Sequence, residues 1–208
     1  MSLRKLFYIF IFLLSGNAFG ENQIKPKDML TYQMYSEGVN KENTQFSSDN
    51  ITVNEKTKVM IATGNVLIIG ENQKISADKV EYDQNLDTAV ATGNVVITNR
   101  DGSIYETENA TLTNQFKSIV AIPLFGKLNE KSSIKSNNFK KNDLGESFFY
   151  EGVYTACECN LKKNETPIWR LESKEIKHDP KTQTIYIKNA VMKIFSMPIY
   201  YVPYLSFA

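Results

Sequence analysis

Apolar and polar residues alternate through most of the chain after its first stretch. In the segment KISADKVEYD, apolar side chains fall at Ile75, Ala77, Val80 and Tyr82, a period of two with one slip at Asp78 and Lys79. A period of two is that of a strand, whose side chains point to opposite faces in turn, and the slip predicts a corner or bulge. The segments QTIYIKNAVMKIF and SIVAI are rich in β-branched and aromatic residues, which favour the pleated sheet. No capped helical pattern of ten or more residues follows the first stretch, and only residues 25–40 leave the choice between helix and strand open. The pattern predicts an almost entirely β protein.

The strands recur. ATGNVLI (62–68) and ATGNVVI (91–97) lie 29 positions apart, and the frame extends backwards, setting Phe46 over Ile75, Asp49 over Asp78, Ile51 over Val80 and Val53 over Tyr82. A partial third copy runs over 105–121. A degraded fourth runs over 171–194, where Leu171, Ile176 and His178 take the places of Ile75, Val80 and Tyr82, and Asn189 and Ala190 those of Gly93 and Asn94. Each copy reads as an alternating strand, a polar turn, a second short strand, a Gly-Asn corner and a third strand. Glycine reaches positive φ without strain and asparagine is the next best residue there, so Gly64, Asn65, Gly93 and Asn94 are expected to turn the chain. A unit of this size buries no core by itself, so the copies must stack or roll. Periodicity alone leaves jelly roll, sandwich and solenoid open.

The first stretch adds a destination. Arg4 and Lys5 precede an apolar run from Leu6 to Leu14, and Ala18 and Gly20 have the −3 and −1 spacing of a cleaved secretory signal. The run is about half of the roughly 20 residues that span a bilayer. The expected organisation is a signal peptide at 1–20 with cleavage after Gly20, an N-terminal extension at 21–45 and a β-roll at 46–208. A formal charge of +1 over 208 residues offers no field for nucleic acid.

Catalytic and metal chemistry finds few parts. The chain has one histidine, His178, placed on a strand's alternation, and lacks a nucleophile elbow, a His-Glu-x-x-His pair and a phosphate loop. Asp78 and Glu81 sit beside Lys79 and read as solvated surface. No enzyme activity, cofactor or metal is expected. Cys157 and Cys159 are disulfide candidates in an oxidising compartment; neighbours on one strand face stand farther apart than a disulfide prefers, so they are expected to bond elsewhere or stay free.

What recurs instead is apolar surface. Ile51, Val53, Val66, Ile68, Ile75, Val80, Tyr82, Val95, Ile97 and Leu112 are expected to share one face and line a continuous trough along the stack, a groove suited to an acyl chain. A secreted structural or adhesive repeat protein, or a β-helix acting on polysaccharide, would use the same strands without that groove.

The frame ADKVEYD…TAVATGNVVI is similar to the OstA-type repeat of periplasmic lipopolysaccharide (LPS) transport proteins. FFYEGVYTACEC, PIWRLESKEIKHD and TIYIKNAVMKIFSMPIYYVPYLSF resemble the end of the periplasmic domain of the outer-membrane LPS-assembly (LptD) family. The resemblance covers about residues 46–207. It implies an OstA-like β-jelly roll in the periplasm, at the outer membrane, that takes LPS from a bridge protein by edge-strand pairing. It also implies that LPS passes on to an outer-membrane barrel, with an outer-membrane lipoprotein as a further partner. The sequence ends at Ala208, where such a barrel would begin, so the barrel is expected on a missing or separate chain. Cys157 and Cys159 match only the later of the positions through which some members tie jelly roll to barrel.

Overall fold

The computed structural model describes residues 30–34, 44–157 and 159–207, with backbone only at 30–34. The signal peptide and its cleavage after Gly20 lie outside the described residues. All strand pairings among the described residues are antiparallel, which is not the pairing of a parallel solenoid or β-helix. The strands are β1 (Leu30–Met34), β2 (Thr44–Ser48), β3 (Asn50–Asn54), β4 (Val59–Ile69), β5 (Gln73–Asp83), β6 (Thr88–Asn99), β7 (Ile104–Thr113) and β8 (Ser118–Ala121). They continue with β9 (Leu124–Asn129), β10 (Ser132–Ser136), β11 (Asn138–Lys141), β12 (Ser147–Thr155), β13 (Trp169–Asp179), β14 (Thr184–Ile194) and β15 (Met197–Phe207). A 3₁₀ turn at Leu161–Lys163 interrupts them.

Each long strand belongs to two leaves. Along β4 to β7 and β12 to β15, one half of a strand pairs in a first leaf and the other half in a second, with the ladder shifted or skipped midway. In the first leaf β9 and β10 carry the order from β7 to β12; in the second, β8 and β11 do. The leaves fold together about this line, and their inward residues form one cluster that includes Met60, Val80, Val95, Tyr105, Phe149 and Ile187. This is a rolled antiparallel sheet, an OstA-like β-jelly roll.

The sequence pattern suggests three short strands per copy; the structure has two long bent ones. The Gly-Asn pair does not end a strand. It places two residues of β4 opposite one of β5, and two of β6 opposite one of β7, so the strand bends and runs on. Gly64 (φ +76°), Asn65 (φ 45°), Gly93 (φ +79°) and Asn94 (φ 44°) all lie in the left-handed region. Asn65 Nδ2 donates to Asp49 Oδ2 and Asn94 Nδ2 to Asp78 Oδ2, each over 2.9 Å. Asp78, read from sequence as solvated surface, thus has a structural task.

At four other places along this line the chain uses hydroxyls. Buried Ser48, Thr107, Ser136 and Ser173 each donate to the carbonyl two residues on. In three of them the single hydroxyl hydrogen is shared with a carbonyl across the sheet, Thr107 with that of Pro123, Ser136 with that of Tyr150 and Ser173 with that of Lys188. Bending a ladder frees carbonyls in a dry interior, where an unpaired polar group costs about 1–3 kcal/mol. These hydroxyls satisfy them.

The sheet takes in Leu30–Met34, from the segment read as an extension, as β1 against β2. At the other end β15 pairs β14 alone, and Met197, Ile199, Tyr200, Tyr201 and Tyr204 are exposed.

Candidate functional site: the jelly-roll interior and its seam

Eight of the ten residues expected to line a groove, Val66, Ile68, Ile75, Val80, Tyr82, Val95, Ile97 and Leu112, are buried in one cluster. Ile51 is partly buried against it. Val53 differs. It stands opposite Met60, so the alternation gave the right face, but it is 41% exposed because β3 pairs only with β4 and nothing described covers its other side.

The interior is filled by aromatic side chains at the level of Tyr105. Tyr105 of the first leaf meets Phe139 and Phe149 of the second, with ring centroids 5.2 and 5.6 Å away. Gly126, directly across from Tyr105, supplies the room: a Cβ there would come within 2.6 Å of the Tyr105 ring. Side chains from both leaves therefore meet at that level.

Open space lies at the seam opposite the fold line, where the turns of the two leaves face each other. A cavity of about 480 Å³ is floored by Ile68, Ile75 and Phe116 and rimmed by the polar turns at 70–73, 99–101, 115–117 and 180–183. Polar bonds cross this seam. Gln73 Nε2 donates to the Phe116 carbonyl, and Lys141 Nζ, on the second leaf, donates over 2.6 Å to Gln73 Oε1 and to Asn99 Oδ1 on the first. His178 Nδ1 stands 3.9 Å from Asp101 Oδ2.

The electrostatics of this cluster follow from burial. Lys141 is 6% exposed, and burial pulls its ammonium down to about 8, with Asp101 offsetting part of the effect. Burial also lowers His178, against the opposing pull of Asp101 and Asp179, which favours the neutral imidazole. Burial pushes the Tyr105 hydroxyl up to about 12; Ser103 and Ser147 offset part of that, although Oη makes no hydrogen bond of acceptable geometry.

A titration prediction follows for Lys141. Its ammonium titrates near 10.5 when exposed and at about 8 here, so between those values the unfolded chain binds more protons and stability rises with pH. The unfolding free energy should gain about 2 kcal/mol between pH 8 and pH 9.5, below the range in which Tyr105 acts oppositely. Lys141→Met should flatten that rise. Urea denaturation at the two pH values measures both.

Cys157 and Cys159 are joined to each other, with Cα atoms 5.2 Å apart, which corrects the expectation that each would bond elsewhere or stay free. The strand-face argument fails because β12 ends at Thr155 and the chain bends at the first cysteine, bringing the Cα atoms into the usual disulfide range of about 4.4–6.8 Å. The carbonyls of both cysteines lie within hydrogen-bond distance of Ser133 Oγ and share its single hydrogen, which holds the bend against β10. No cluster of metal-ligating side chains occurs among the described residues, and no described helix is long and apolar enough to cross a membrane.

A sheet folded on itself around one apolar cluster defines the class of OstA-like β-jelly rolls. Residues 45–194 match the family described as LptA/(LptD N-terminal domain) LPS transport protein, and the chain belongs to that family. None of the curated proteins matches it. Among solved structures, LptH of Pseudomonas aeruginosa, described as the LptA-homologous periplasmic component of the lipopolysaccharide transport device, is similar at 11% identity. That alignment has a TM-score of 0.30 and covers 74% of this chain and 95% of LptH. Strand order and register, rather than that superposition, define the fold.

Proposed function

We propose that the jelly roll holds the acyl chains of LPS between its two leaves and passes the lipid along the stack towards an outer-membrane barrel, as the periplasmic domain of an LptD-type protein. The observation that carries this is the alignment of inward apolar residues on successive bent strands, from Val66 and Ile68 through Ile75, Val95 and Ile97, within a family of LPS transport proteins. Each methylene transferred from water to such a lining is worth about 0.8 kcal/mol, so several chains are held strongly without a special polar group. No reaction is required of the module.

The two ends of the sheet suit different partners. β3 and β15 each present an edge unpaired among the described residues. The β1–β3 end suits strand addition by a periplasmic bridge protein, main chain to main chain. The β15 end, with Tyr200, Tyr201 and Tyr204 exposed, suits continuation towards the barrel and its lipoprotein partner. Export by the N-terminal signal brings the chain to the periplasm.

The test is photo-crosslinking in cells that make LPS, from a photoreactive residue at Ile75 or Val95 and, for comparison, at the exposed Leu86. Adducts at the first two and none at Leu86 are expected. Absence of lipid adducts at every inward position would sink the proposal.

A further inference from the structure

The seam cavity has two kinds of wall. Its floor of Ile68, Ile75 and Phe116 is continuous with the apolar interior, and its rim carries Arg100, Lys117 and Lys181. At its inner end sits Lys141, a buried ammonium whose two hydrogen bonds go to neutral amide oxygens. A buried charge costs several kcal/mol unless it is compensated. Asp101, the carboxylate whose charge acts on Lys141, does not complete that compensation. Asp101 Oδ1 accepts from the Ser103 backbone N–H and hydroxyl, and Oδ2 faces His178. Glu71 and Asp143 also line the cavity, so four cations stand against three carboxylates, with the innermost charge positive. Two of the three ammonium donors are used, and one remains.

We infer that this cavity seats the phosphate of a phosphorylated lipid, with Lys141 as the cation beneath it and the chain entering the interior over Ile68, Ile75 and Phe116. The inference rests on the transport reading above and adds what that reading lacks, a polar determinant that selects the head group. It also gives the seam a task. Lys141, Gln73 and Asn99 tie one leaf to the other, and a phosphate taking the ammonium's remaining donor competes with those two amides for the same cation. Binding of the head would thereby loosen the tie across the leaf edges through which the chains must pass.

The test compares three probes on the full chain: bis-phosphorylated lipid A in detergent micelles, the same lipid A after dephosphorylation, and inorganic phosphate. A charge-assisted hydrogen bond in a dry site translates into a preference of about ten- to a hundred-fold for the phosphorylated lipid. Lys141→Met should cut that preference to about threefold or less, and Lys181→Gln on the rim should reduce it by a smaller factor. If Lys141→Met fails to fold, the wild-type preference and the Lys181→Gln effect still decide. Equal binding of the two lipids by the wild type, with both crosslinking from Ile75, would overturn the head-group site and leave the transport reading standing. Inorganic phosphate binding as tightly as the phosphorylated lipid would also overturn it, since the site would then hold a free anion. Loss of crosslinks from Ile75 and Val95 with either lipid strikes at the transport reading instead.

Discussion

Phe149→Ala should lower the unfolding free energy by about 3–5 kcal/mol, the largest effect expected of a single substitution in this protein. Phe149 is fully buried on β12 in the second leaf, and its ring stands 5.1 Å from Phe139 beside it and 5.6 Å from Tyr105 across the interior. Removing it takes away apolar burial and the edge-to-face contact, and leaves a void between leaves that main-chain ladders hold apart. The site cannot collapse without shifting a ladder. Phe149→Leu, which keeps most of the volume, should cost less than half as much. Equilibrium urea denaturation followed by far-UV circular dichroism reads both, and equal losses for the two variants would refute the packing account.

The second large effect is expected at the corner. Gly93→Ala should destabilise by about 2–3 kcal/mol, combining the left-handed backbone penalty with damage to a hydrogen bond. At φ +79°, a Cβ on residue 93 would lie 2.5 Å from Asp78 Oδ2, the atom that accepts from Asn94. Asp78→Ala removes the carboxylate, leaving only its own Cβ at 3.0 Å, and leaves the backbone penalty. The double variant should therefore lose less than the sum of the two single losses, by about 1 kcal/mol. Additive losses would show that the carboxylate and the missing Cβ do not share the space. The same geometry at Gly64 and Asp49 predicts the same pattern one repeat earlier.

Local features were legible in the sequence. Alternation placed Val66, Ile68, Val95 and Ile97 on the inward face, and the Gly-Asn pairs announced corners, because both depend on neighbours along the chain. The partners of those corners were not legible: Asn94 finds Asp78 sixteen residues away, across a sheet whose register no single strand encodes. Val53 shows a similar limit, since its face was readable and its position at an edge was not. The seam cluster was hidden for a stronger reason. Lys141 meets Asn99 and Gln73 at separations of 42 and 68 residues, and nothing near Lys141 in the sequence marks it as buried. A lysine inside the polar run KKND reads as surface until the leaf opposite is in place. The cysteines misled because the strand-face argument assumed extended chain where the structure bends.

The bent strand also fixes how a protein of this kind can change size. Because every long strand crosses both leaves, one added hairpin adds two rungs to each leaf at once and leaves the cross-section as it was. An inserted 29-residue copy would lengthen the interior by about 10 Å, two strand spacings. Length and bore are thus separate variables, and the reach of the module can be altered by whole repeats without redesigning what it encloses.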